Sequence, residues 1–263
     1  EGCPGPVHIS LPVDIMFSSF AFDAGRHERP FNRTARPVQR AWPDPVALDH
    51  ILELVKSAER PVIIGGHGVW WSRAEGKLES AGKALRLPIF NVPYHSKLLG
   101  EECEAYMGLA DFHQYHPSKP AIQEADVVVM IGGRLDNQMN FGNPPFFPEG
   151  QTLICVNGSH EELEHNQAAD EVLLSDPGAF LDALMSVGRT WPDWFDLQRQ
   201  RRGAWVAEWS DHIAGETAKG GKMHPLQFSL DVQEQMGDED WLIFDGGNTH
   251  FWSEIAVNMA GWR

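Results

Sequence analysis

Two stretches constrain this chain more than any others: Val62-Ile63-Ile64 running into Gly65-Gly66, and Val127-Val128-Val129-Met130-Ile131 running into Gly132-Gly133. A short unbroken apolar run has no polar face to give to water. Each is therefore read as a strand covered on both sides, with the glycines marking a tight turn. Helical periods lie between such runs. Val46, Leu48, Ile51, Leu52, Leu54 and Val55 trace one apolar stripe after Asp44-Pro45, and Leu78, Ala81, Leu85 and Leu87 trace another. Pro88 to Val92, Thr152 to Val156 and Glu171 to Leu174 read as further strands, and Pro177 to Met185 as a closing helix. Buried strands alternating with helices predict an α/β architecture, a Rossmann-like doubly wound parallel sheet over residues 46–186.

The flanks read differently. Val7-His8-Ile9-Ser10-Leu11-Pro12 alternates like one short strand, so residues 1–15 are taken as the end of a preceding domain. Residues 16–45 form a connection rich in Arg, Pro, Phe and Ala. Residues 187–222 form a second connection, in which a helix from Trp194 to Ile213 is expected. Trp191, Trp194, Trp205 and Trp209 in this region are read as packing or subunit contacts. Residues 223–263 start a partial second α/β unit: a helix from Pro225 to Met236, a strand from Trp241 to Phe244, a glycine turn, and a helix from about Thr249. The chain does not begin with Met, and an upstream part is expected.

Composition narrows the partners. The formal charge of −16, from 37 acidic against 21 basic residues, argues against a grip on the phosphates of nucleic acid. No apolar run approaches the roughly 18 residues that suggest a membrane span. The opening residues carry neither the basic start nor the apolar stretch of a signal peptide. The 3 cysteines, Cys3, Cys103 and Cys155, are odd in number and irregularly spaced, which suggests neither a disulfide framework nor a zinc site and suits a reducing cytoplasm.

Chemistry is expected where strands end in glycines, because helix N-termini there offer unpaired N–H groups to a phosphate. Gly66 and Gly68, in Gly65-Gly66-His67-Gly68, fit a backbone contact to phosphate, but a plain tight turn needing glycine torsions is the preferred reading of this stretch taken alone. Arg134, after Gly132-Gly133, can clamp a phosphate or stack on an adenine ring, the alternative being a surface ion pair. Asn157 ends a later strand, where dinucleotide-binding folds often put an acidic residue on ribose hydroxyls. Gly247, Asn248 and Thr249, in Asp245-Gly246-Gly247-Asn248-Thr249, form a strand-to-helix turn that suits a diphosphate, or an N-cap alone. Asp111, His113 and His116 hint at a metal, but Pro117 interrupts the helical spacing that a ligand pair needs, so no metal ligand is assigned. No catalytic residue is assigned either. The incomplete glycine fingerprint and the missing acidic residue count against an NAD-dependent oxidoreductase.

Four landmarks then carry a resemblance to thiamine diphosphate-dependent enzymes of the acetolactate synthase, 2-hydroxyacyl-CoA lyase and benzaldehyde lyase kind. Gly5-Pro6-Val7-His8-Ile9-Ser10-Leu11-Pro12-Val13-Asp14 resembles the segment ending their pyrimidine-binding domain. Glu59 to Gly68 resembles the start of their central domain. Ile131-Gly132-Gly133-Arg134-Leu135, with Phe141-Gly142 and Pro144-Pro145, is similar to acyl-CoA lyases. Asp245 to Trp252 resembles the opening of the diphosphate-binding domain. The resemblance implies thiamine diphosphate and magnesium as cofactors, with Gly247, Asn248 and Thr249 at the diphosphate. It also implies FAD or ADP near Gly66, Gly68, Arg134 and Asn157, although Asn157 stands where relatives usually carry Asp. The activating Glu and the magnesium site belong to regions outside this chain. The implied activity is C–C bond lyase or carboligase chemistry on 2-oxoacids or 2-hydroxyacyl thioesters, in a homodimer or homotetramer. For the fragment itself, which is expected to be inactive, the alternative is a non-catalytic nucleotide-binding or assembly module.

Overall fold

The computed structural model describes residues 6, 8–19, 39–93, 98–100, 102–113, 117–166, 168–220, 222–237, 240–243 and 245–260. In chain order the elements are helices α1 (Val13–Met16) and α2 (Pro45–Ser57), strand β1 (Pro61–Gly65), helices α3 (His67–Trp71) and α4 (Glu75–Leu85), and strands β2 (Ile89–Asn91) and β3 (Tyr106–Leu109). Helix α5 (Ser118–Glu124), β4 (Val127–Ile131), β5 (Thr152–Asn157), α6 (His160–Glu164), β6 (Glu171–Leu174) and α7 (Pro177–Leu184) complete the α/β unit. Three further helices follow: α8 (Pro192–Ala218), α9 (Pro225–Glu234) and α10 (Asn248–Ala260).

The six strands form one sheet in the order β3-β2-β1-β4-β5-β6, every pairing parallel. Its two apolar centre strands pair in register, Ile63 with Val129 and Ile64 with Met130, and every residue of both is buried. Chain order reverses between β1 and β4, which makes their carboxyl ends the topological switch point of a doubly wound sheet. Two Asp-Pro pairs start the helices beside it. Asp44 accepts hydrogen bonds from the N–H groups of Val46 and Ala47 at 3.0 Å each, and Asp176 from those of Gly178 and Ala179. In both, proline occupies the first turn, where its missing N–H is not needed.

Helix α8 is longer than the expected span. Trp194 and Phe195 bury its first part in the main core, where the Trp194 indole donates to the Pro61 carbonyl at 2.9 Å. Trp205 and Ile213 of its later turns join Leu226, Ala256 and Met259 in a separate apolar cluster with α9 and α10. The tryptophans are therefore packing residues.

Several expectations need correction. Of the segment read as an opening strand, Val7 lies outside the described residues, while residues 8–12 carry no strand and lead into the single turn of α1, all exposed. The strand expected from Trp241 to Phe244 is likewise absent over residues 241–243, Trp241 and Ile243 being almost fully exposed; Phe244 lies outside the described residues. A strand needs a neighbour for its N–H and C=O groups, and neither segment pairs with the six-stranded sheet over its described residues. Conversely, α1, β3, α3, α5 and α6 have no counterpart in the reading of the sequence.

Candidate functional site

At the switch point, the loops after β1 and β4 pack directly on each other. The Gly66 N–H donates to the Ile131 carbonyl and the Gly68 N–H to the Gly132 carbonyl, both at 2.8 Å. A Cβ at Gly66 would stand 2.4 Å from the Cα of Gly133, and one at Gly68 would stand 2.7 Å from the Cα of Gly132. These glycines are thus required by backbone meeting backbone. The N–H groups expected to receive a phosphate already have acceptors in the chain.

The other expected contacts are engaged too. Arg134 forks onto the nearly buried carboxylate of Glu162, Nε donating to Oε2 at 2.8 Å and a terminal nitrogen donating to Oε1. Asn157 is buried; its amide donates to the Gly133 carbonyl at 3.3 Å, and its oxygen accepts the N–H of Ser159. Asn166 sends its amide to the same Gly133 carbonyl and accepts the N–H of Leu135 at 2.8 Å. The structure therefore brings Gly66, Gly68, Arg134 and Asn157 to one crest, but joins them to the protein itself. A nucleotide phosphate there would have to displace Glu162 from Arg134, and a ribose would find the Asn157 acceptor in use. The crest as folded does not fit FAD or ADP. Sequence reasoning missed Glu162 and Asn166, whose partners lie some thirty residues away with no local signal.

The second candidate place begins α10. Asp245, Gly246, Gly247, Asn248 and Thr249 are all exposed, Gly247 has φ +102°, and a Cβ there would meet nothing within 4 Å. Helix α10 has 13 residues, so its first N–H groups lack intrahelical partners and carry the positive end of its dipole. Gly247, Asn248 and Thr249 fit a diphosphate in this respect: an open backbone turn, two short polar side chains and a helix N-terminus. Glycine suits the left-handed torsion at 247.

Other candidates resolve locally. His113 places Nε2 3.0 Å from the Asn137 carbonyl, and its N–H donates to the buried Asp111 carboxylate at 2.7 Å. His116 lies outside the described residues. Among the described residues no group of three His, Cys, Asp or Glu side chains is placed to hold a metal ion. Burial, with a smaller contribution from the Asp170 charge, pushes the Cys155 thiol up to about 12, which keeps it a neutral core residue. No helix is long and apolar enough to cross a membrane, among the described residues.

The sheet order, with glycine turns at its reversal, defines an open α/β domain of dinucleotide-binding architecture. The chain belongs to the thiamine pyrophosphate enzyme family, matching the profile described as "Thiamine pyrophosphate enzyme, central domain" over residues 48–184. It is 29% identical over 166 residues to 2-hydroxyacyl-CoA lyase 1 of Dictyostelium discoideum, covering 63% of this chain and 26% of the relative. It is 20% identical over 270 residues to the acetolactate synthase large subunit of Cyanidium caldarium, covering 100% and 45% respectively. The benzoylformate decarboxylase of Polynucleobacter necessarius shares the fold with a TM-score of 0.50 at 22% identity, over 59% of this chain and 29% of that one. The chain thus spans less than half the length of each of these relatives.

Proposed function

We propose that this chain is the middle of a thiamine diphosphate-dependent C–C bond lyase or carboligase acting on 2-oxoacids or 2-hydroxyacyl thioesters, working in the cytoplasm as a homodimer or homotetramer. The observation that carries the reading is the helix start at Gly247, Asn248 and Thr249, an open turn of diphosphate-binding character that follows a family central domain in the same chain. The named relatives, a 2-hydroxyacyl-CoA lyase and an acetolactate synthase, support both substrate classes. When bound, the cofactor supplies the electron sink that C–C cleavage or formation beside a carbonyl requires. The residues in hand contribute binding: the N–H groups of the first α10 turn hold the diphosphate, and the Asn248 and Thr249 side chains orient it. Magnesium belongs to the proposal for the whole protein. Among the described residues no group of three His, Cys, Asp or Glu side chains gathers to hold it. The crest groups that would meet FAD or ADP are bonded within the chain.

Calorimetric titration of the full-length protein with thiamine diphosphate and magnesium is the direct test. Binding is expected, and Asn248→Ala with Thr249→Val should weaken it by about tenfold, as the loss of one or two hydrogen bonds implies. ADP and FAD, titrated separately, should give no heat. Absence of thiamine diphosphate binding would sink the proposal and leave a non-catalytic assembly module. Heat with ADP would mean that Arg134 exchanges Glu162 for a phosphate. Turnover assays with a 2-oxoacid and with a 2-hydroxyacyl-CoA then separate the two substrate classes.

A further inference from the structure

Strand β3 is an edge of the sheet, and an edge leaves alternate N–H groups without a strand to accept them. Here a helix supplies the acceptor. The Leu109 N–H donates at 3.0 Å to the side-chain oxygen of Asn258, which is 2% exposed and lies near the end of α10. The seat is shaped for it. Gly108 has φ +115°, and a Cβ at that position would fall 2.2 Å from the Asn258 oxygen. Glycine is needed there both for the torsion and for the space. From the other side Arg202 of α8 donates to the carbonyls of Asn258 and Met259 at 3.4 and 3.3 Å, with its guanidinium 5.3 Å from the centre of the Tyr106 ring on β3. The Asn258 side chain thus ties the end of α10 directly to the edge strand of the central sheet.

The other end of the same helix carries Gly247, Asn248 and Thr249. Ten residues of α-helix separate Asn248 from Asn258, about 15 Å of rigid rod. We infer that Asn258, seated on Gly108, is a positioning residue for the diphosphate turn: it sets where the first turn of α10 stands relative to the central domain. This rests on the functional reading above. The Asn258 side chain is engaged by the Leu109 N–H. It acts through the helix, as a pin at the far end of a lever.

The test uses the full-length protein and three variants. Asn258→Leu removes the acceptor while nearly keeping volume, and Gly108→Ala drives a methyl group into the same contact from the opposite side. Ile213→Ala loosens the same helical cluster from α8 without touching the pin. The dissociation constant for thiamine diphosphate with magnesium is read by calorimetry, and the exchange rate of the Leu109 amide by mass spectrometry with deuterium. The expected result is a Kd raised about tenfold in both Asn258→Leu and Gly108→Ala, with faster Leu109 exchange, undiminished protection of β1 and β4, and a parental Kd in Ile213→Ala. Parental Kd values in both pin variants would overturn the inference alone, and so would an equal loss in Ile213→Ala, which would make the effect general loosening. A parent protein that binds no thiamine diphosphate would overturn the functional reading and this inference with it.

Discussion

A methyl group at residue 66 would stand 2.4 Å from the Gly133 Cα and 2.6 Å from the Gly132 carbonyl oxygen. Both neighbours are backbone and cannot rotate away, so Gly66→Ala is expected to cost about 1–3 kcal/mol or more in urea unfolding. Gly76, inside α4, meets nothing within 4 Å, and Gly76→Ala should instead be neutral or stabilising by up to about 1 kcal/mol. Equal effects at the two positions would contradict the close approach of the two crest loops. The sequence marks both glycine pairs as turns after buried strands. That they press on each other across sixty-six residues, and that Arg134 spends its fork on Glu162, is visible only after folding.

The helix starts were legible because their chemistry is local. Asp44-Pro45 and Asp176-Pro177 each join a capping carboxylate to a proline at the first position, and each begins a helix. Their costs should nevertheless differ. Asp44→Ala removes only the cap and should cost about 1 kcal/mol. Asp176 also accepts the Ser72 hydroxyl at 2.8 Å and pairs with Arg40 at 3.2 Å, tying the connection before α2 and the end of α3 to α7. Asp176→Ala should therefore cost about 2–3 kcal/mol, since it leaves a buried hydroxyl without that acceptor. Thermal unfolding of both variants checks the order. Strands were less legible where pairing decides them. Tyr106-Met107-Gly108-Leu109 has a glycine and no period, yet it is β3 because β2 offers an edge. Trp241-Leu242-Ile243 is apolar and reads as a strand, yet it is not paired into the sheet.

The described chain has two apolar cores bridged by α8, one around the sheet and one gathering α8, α9 and α10. Trp205 sits in the second and Trp194 in the first. Hydrogen exchange should accordingly protect β1, β4 and β5 most, with α9 and α10 opening as a separate, less stable unit. Trp205→Ala is expected to lower protection in α9, α10 and the second half of α8 while leaving the sheet unchanged. Loss of protection throughout would mean that the two cores unfold as one. The α/β class, the buried parallel strands, the starts of the helices at Pro45 and Pro177 and the glycine turns are legible in the sequence, because periodicity, helix-start and torsional demands act within a few residues. Visible only in the folded chain are the bonding of the crest to itself, the acceptor that Asn258 offers to the edge of β3, and the lack of strand pairing over residues 241–243. Each of those depends on a partner dozens of residues away or on whether a partner is present at all, and a hydrogen bond to a distant group leaves no mark on the local pattern.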